Sequence, residues 1–140
     1  MPCIRASALV PTKGGGPALG KRVLVIEDEP NISEALRFIL RRDGWHVDVS
    51  ADGTDAMGAL HRNPPDLLIL DLMLPGLSGF EVLRTLRDAA QTRELPVLML
   101  TAKGHAADRV EAERLGVTRF MTKPFANAEV IAAVREMTQS

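Results

Sequence analysis

The sequence predicts an α/β sandwich in which helices cover both faces of a five-stranded parallel sheet. From Lys21 onward, short apolar runs alternate with helical patterns, giving five strand–helix units in succession. Three runs, Val23-Leu24-Val25-Ile26, Leu67-Leu68-Ile69-Leu70 and Val97-Leu98-Met99-Leu100, are continuously apolar, as suits inner strands buried on both faces. Trp45-His46-Val47-Asp48-Val49 alternates strictly and Val117 to Met121 is mixed, so both read as edge strands.

Each connecting helix has its own signals. The first carries Ile32, Ala35, Leu36, Ile39 and Leu40 at helical spacing, with Pro30 in its opening turn and Gly44 past its end. The second, about Asp52 to Arg62, is weaker, with Ala56, Ala59 and Leu60, and stops at Asn63-Pro64-Pro65. Pro75-Gly76 marks a turn, and Ser78 with Glu81 forms a capping-box pattern for a third helix that packs Phe80, Leu83 and Leu86. The fourth, about His105 to Leu115, has a thin apolar face, which predicts a weakly anchored element. Asn127 is the expected cap of the fifth, with Val130, Ile131, Val134 and Met137 inward. Continuous strands in the middle and mixed ones outside fit the flavodoxin-like (βα)5 order 2-1-3-4-5, whose ligand crevice lies beyond the carboxyl ends of the strands.

Length and composition agree with this class. The 140 residues (15.2 kDa) suit one domain, and 46% hydrophobic with 25% charged residues is a globular balance. A chain of this size buries roughly two-thirds of its unfolded surface. A lone Cys3 excludes an internal disulfide or a cysteine-based zinc site. A net charge of -1 offers no broad footprint for nucleic acid. No run is long enough to cross a membrane and no signal-peptide core opens the chain, so a cytoplasmic protein is expected. Residues 1–20, with Pro2, Pro11, Pro17 and Gly14-Gly15-Gly16, read as a flexible extension ahead of a domain at 21–140. Gly15 to Lys21 nearly spells a P-loop, but Arg22 stands where Ser or Thr is needed and the glycines precede a strand instead of following one.

Chemistry gathers at the strand ends. The first delivers Glu27 and Asp28, the third Asp71, the fourth Thr101, and the fifth Lys123 just beyond it. Crowded carboxylates repel and hold protons unless a cation relieves them. Mg2+ suits an all-oxygen set with only one or two direct carboxylates, and nothing here offers sulfur or imidazole. A carboxylate beside Mg2+, an ammonium and a hydroxyl suits phosphoryl transfer, with Asp as nucleophile and the cations neutralising the phosphoryl oxygens. Taken singly, each residue has a bland reading: a helix cap, a loop acid, a surface charge. Partners arriving from four separate strand ends argue for one joint site.

These residues resemble the receiver domain of two-component response regulators over about Lys21 to Met137. The matching pieces are Val25-Ile26-Glu27-Asp28-Glu29, Asp71-Leu72-Met73-Leu74-Pro75-Gly76-Leu77-Ser78-Gly79, Leu100-Thr101-Ala102 and Lys123-Pro124-Phe125, in order and spacing. The resemblance implies that Asp71 is the phosphoacceptor, charged by a sensor histidine kinase or a histidine phosphotransfer protein. It implies Asp28, Asp71 and the backbone carbonyl of Met73 as Mg2+ ligands, with Glu27 acting mainly through metal-bound water. Thr101 and Ala102, with Lys123 and Pro124, would bind the phosphoryl group, the Lys123–Pro124 peptide being cis. Phe120 would be the aromatic switch that swings inward as Thr101 moves. Met73 and Lys103 would flank the water route.

The resemblance also implies a signalling switch, not an enzyme beyond its own phosphoryl transfer and slow autodephosphorylation. Its output face would be helix 4, strand 5 and helix 5, where it meets a downstream protein target or forms a homodimer. Arg109 and Glu129 match the usual charges of that face, whereas Val117-Thr118-Arg119 stands where acids are common. With the chain ending at Ser140, a stand-alone receiver is expected, the alternative being the receiver part of a DNA-binding transcriptional regulator. Neither direct nucleic-acid nor membrane contact is expected. A phosphohydrolase of the aspartate-nucleophile type would need a second Asp where Met73 stands. A flavin carrier would need a Ser/Thr-Gly phosphate loop after the first strand. Against a receiver that no longer accepts phosphate speak the intact Asp28, Asp71 and Lys123.

Overall fold

The computed structural model describes residues 20–102 and 106–138. The readings made on the chain up to residue 19, on Lys103 and on His105 fall outside the described residues. The strands are β1 (Arg22–Ile26), β2 (His46–Ser50), β3 (Leu67–Asp71), β4 (Val97–Thr101) and β5 (Arg119–Thr122). The helices are α1 (Pro30–Arg42), α2 (Gly53–Arg62), α3 (Gly79–Asp88), α4 (Ala106–Arg114) and α5 (Asn127–Thr138). All strand pairs are parallel, in the order β2-β1-β3-β4-β5. The continuously apolar strands β3 and β4 are buried along their whole length and β1 along all but its first residue, while β2 and β5 expose alternate positions.

Alternation along the inner strands divides the core in two. Leu24, Ile26, Leu68, Leu70, Val97 and Met99 face a layer built from α2, α3 and α4. Val23, Val25, Leu67, Ile69, Leu98 and Leu100 face α1 and α5. Burial of these side chains supplies the main stabilising term, at about 25 cal/mol per Å2 of apolar surface.

The helices differ from the sequence reading in detail. In α1, Ala35 is exposed and Ser33 buried, its hydroxyl donating to the Pro30 carbonyl. Satisfying that hydroxyl within the helix lets a small polar group be buried. In α3, Leu83 and Leu86 are buried and Phe80 packs half-buried against the same cluster, with Val82 as a further buried residue; Ser78 caps the helix by accepting from the Glu81 amide. Asn127 lies inside α5, not at its cap. The Glu129 carboxylate instead reaches back to the Ala126 amide at 3.1 Å, which satisfies one of the orphan donors of the first turn. Helix α4 buries only Ala112, in line with its thin apolar face.

Two arginines tie loops and helices together. Arg87 of α3 donates to the carbonyls of Leu95 (2.8 Å), Gly116 (2.9 Å), Arg93 (3.1 Å) and Thr92 (3.3 Å), so it joins the α3–β4 loop to the α4–β5 turn. Arg87→Met removes these donors while keeping most of the apolar stem. It should cost about 2–4 kcal/mol in urea denaturation, and an unchanged midpoint would contradict this role. Arg135 of α5 pairs with buried Asp43 at the end of α1, locking the second helical layer.

Candidate functional site

Parallel strands present all their carboxyl ends at one edge of the sheet, and the expected residues meet there. Glu27 extends β1, its amide donating to the Ser50 carbonyl at 3.0 Å. Asp71 is the last residue of β3, paired in register with Leu100, and Thr101 is paired with Thr122. The Lys123 amide donates to the Thr101 carbonyl at 2.7 Å, which carries Lys123 one step past β5 toward the same edge. The Lys123–Pro124 peptide is cis, as the resemblance implied.

The side chains close the site. One carboxylate oxygen from each of Glu27, Asp28 and Asp71 lies within 4.8 Å of the other two. Lys123 Nζ stands 3.1 Å from Glu27 Oε1 and 3.5 Å from Asp71 Oδ2. The remaining oxygens are held by the backbone: the Glu29 amide donates to Glu27 Oε2 at 3.1 Å, and the Met73 amide to Asp71 Oδ1 at 3.2 Å. Glu27 and Asp71 are 2% and 4% exposed, whereas Asp28 is open to solvent. Thr101 is buried and Ala102 and Pro124 are exposed at the rim. The Met73 side chain stands 70% exposed at the mouth. A groove of about 500 Å3 beside the site is lined by Ile32, Ala35, Ala102, Lys123, Pro124 and Phe125.

Burial and charge crowding both shift ionisation in the site. Burial pushes the Glu27 carboxyl up to about 7, against the opposing pull of the Glu29 amide and Lys123, with the Asp71 charge adding to the rise. Burial also works to lower Lys123, but the hydrogen bond to Glu27 and the two carboxylate charges outweigh it, and its ammonium is held above the ordinary lysine range. Between about 4.5 and about 7 the folded protein keeps a proton on Glu27 that the unfolded chain releases. Stability in metal-free buffer should therefore fall as pH rises through that window, and Glu27→Gln should flatten the slope. Urea denaturation in a chelator at the two ends of the window checks this; equal slopes in both proteins would contradict it.

The site fits a hard divalent cation. Its donors are oxygens only, one carboxylate is open to solvent, and three acidic groups face a single ammonium.

Phe120 sits at the edge of the core. The ring is only 8% exposed and packs in the α2–α4 side of the core, with the Arg109 guanidinium 5.1 Å from its centroid. Sequence reading also passed over Gly79, the first residue of α3. A Cβ there would meet the Asp71 carbonyl oxygen at 2.7 Å and the Leu72 Cα at 2.8 Å. The glycine in Ser78-Gly79 was visible, but its backbone contact with Asp71 arises only from the folded loop.

Fold and acidic site together define a receiver-type α/β domain. A family model of the response regulator receiver domain matches residues 23–135. The chain belongs to that family, whose members are the receiver domains of two-component systems. It is 42% identical over 116 residues to the phosphate regulon transcriptional regulatory protein PhoB of Rhizobium meliloti, a match covering 83% of this chain and 51% of that protein. The chain thus spans about half the length of this curated relative. Among solved structures it is similar to a response regulator from Chloroflexus aurantiacus, with a TM-score of 0.81, 31% identity, and coverage of 85% of this chain and 98% of that one. It is also similar to the receiver domain of a sensor histidine kinase from Pseudomonas aeruginosa, with a TM-score of 0.80, 30% identity, and coverage of 86% and 99%. That structure has a magnesium ion coordinated in the active site cleft. Among the described residues, no helix is long and apolar enough to cross a membrane.

Proposed function

We propose that this receiver is a Mg2+-dependent phosphorylation switch whose phosphoacceptor is Asp71. The observation that carries the reading is the convergence on Asp71 of two further carboxylates and the Lys123 ammonium. Asp28, Asp71 and the backbone carbonyl of Met73 would hold Mg2+, with Glu27 acting through its bound water. When bound, the ion offsets carboxylate repulsion and neutralises phosphoryl oxygens.

The chain's own groups do the rest. A carboxylate oxygen of Asp71 attacks phosphorus as the phosphorus–nitrogen bond of a donor phosphohistidine breaks, leaving an aspartyl phosphate and a free imidazole. Lys123 turns from the Asp71 carboxylate to a phosphoryl oxygen. The Thr101 hydroxyl donates to another, and its movement is coupled to Phe120 and to the face formed by α4, β5 and α5. That face, with Arg109 and Glu129 on it, would then meet a protein target or a second copy. The donor, a sensor histidine kinase or a histidine phosphotransfer protein, reaches Asp71 past the groove lined by Ile32, Ala102 and Phe125.

The reading is tested by adding beryllofluoride, a phosphoryl mimic, with and without Mg2+. One adduct per chain, formed only with Mg2+, is expected; no adduct overturns the reading. Asp28→Ala removes one carboxylate from the cluster without opening the core. It should weaken Mg2+ binding by tenfold or more, on the order of 1.4 kcal/mol, while leaving the circular dichroism spectrum intact. Unchanged affinity by isothermal titration would contradict the assigned ligand.

A second reading is that this receiver governs a DNA-binding output region. The 42% identity to a transcriptional regulatory protein, of which the chain matches half, favours it. Phosphorylation-dependent binding to promoter DNA by the chain's full gene product would support it over a stand-alone receiver.

A further inference from the structure

Helix α4 meets the sheet with little of its surface. Ala112 is its buried residue, and Val110 points outward at 63% exposure. Arg109 precedes Ala112 by three positions, which places it on the same side of the helix, over β5. An apolar residue would ordinarily occupy that position; here a guanidinium lies 5.1 Å from the Phe120 ring centroid. Phe120 is opposite Met99 in the β4–β5 register and belongs to the same buried cluster as Met99 and Ala112. The contact exists in the arrangement in which Lys123 bridges the free carboxylates of Glu27 and Asp71.

We propose that Arg109 is a positioning residue: its guanidinium holds the Phe120 ring in its seat and fastens α4 to β5, and so sets how readily the domain switches. The inference rests on the receiver reading of Asp71, Thr101 and Phe120. The physics is the attraction between a cation and the negative face of an aromatic ring, here supplementing a helix with one buried alanine. Any arrangement that moves the ring must first part with this contact. Removing the cation therefore lowers the cost of switching, and by linkage a ligand that favours the switched arrangement binds more tightly.

The test uses the full chain labelled with 4-fluorophenylalanine, the Phe120 resonance being assigned through Phe120→Leu. Beryllofluoride is titrated at saturating Mg2+ into the wild type, Arg109→Met and Arg109→Lys. Methionine keeps an apolar stem and removes the charge; lysine keeps a cation. In Arg109→Met the Phe120 resonance should move and half-saturation should fall about two- to fivefold, the equilibrium shift of one exposed cation–π contact. Arg109→Lys should restore at least half of that shift. Half-saturation equal to or weaker than wild type in Arg109→Met overturns the inference, whether or not the resonance moves. Should the wild type bind no beryllofluoride, the receiver reading has failed; an unmoved Phe120 resonance in Arg109→Met then overturns the contact separately.

Discussion

Asp71→Asn is expected to abolish the beryllofluoride adduct and acceptance of a phosphoryl group while making the fold more stable. Asparagine is nearly isosteric, and its amide oxygen can still accept from the Met73 amide. What it loses is the anionic oxygen that attacks phosphorus, so the functional effect is total. What it relieves is the juxtaposition of three carboxylates within 4.8 Å, two of them buried, with one ammonium between them. The Glu27 and Lys123 pair at 3.1 Å survives the substitution and is then closer to neutral. A gain on the order of 1 kcal/mol in metal-free urea denaturation is expected, because sites built for chemistry hold charge at the expense of stability. The gain should shrink when Mg2+ is added, since only the wild type retains the full ligand set. A destabilised Asp71→Asn, or one that still forms the adduct, contradicts the arrangement.

Gly79→Ala is expected to produce the largest structural loss of any single methyl addition near the site. The new Cβ would lie 2.7 Å from the Asp71 carbonyl oxygen and 2.8 Å from the Leu72 Cα, both backbone atoms that cannot rotate away. The Gly79 amide also donates to the Leu72 carbonyl at 2.9 Å, so the first turn of α3 is seated directly on the end of β3. Relieving the clash requires α3 to withdraw or β3 to bend at Asp71. Overpacking of this kind costs about 1–3 kcal/mol, and more where only backbone can give. A loss of about 3 kcal/mol in urea denaturation is expected, together with weaker Mg2+ binding because Asp71 and Met73 shift. Wild-type stability and affinity in Gly79→Ala would show that the close approach has no energetic weight.

The architecture was legible because buried strands and amphipathic helices announce themselves by period. The continuously apolar runs at Val23, Leu67 and Val97 became the inner strands, and the alternating segment at Trp45 an edge. The site was legible for a related reason: chemistry at strand ends follows from topology, so Glu27, Asp28, Asp71, Thr101 and Lys123 could be grouped before any coordinates. What escaped was long-range pairing without periodicity. Arg87 reaches carbonyls in two loops, Asp43 finds Arg135 from the far end of the chain, and Gly79 is required by a loop that folds back on Asp71. Helix starts failed in a characteristic way. Asn127 has the composition of a cap, yet Glu129 satisfies the backbone one residue earlier. Ala35 matched the apolar spacing of α1 but is exposed at one margin of its buried stripe, while Ser33 at the opposite margin is buried.

The central claim is that a phosphoryl group is carried on one particular carboxylate. The direct measurement is to incubate the protein with Mg2+ and acetyl phosphate, trap any acyl phosphate by borohydride reduction, and map the reduced residue by tandem mass spectrometry. The account predicts reduction of Asp71 to homoserine, dependent on Mg2+ and confined to that position. Reduction at another carboxylate, or at none, would contradict it.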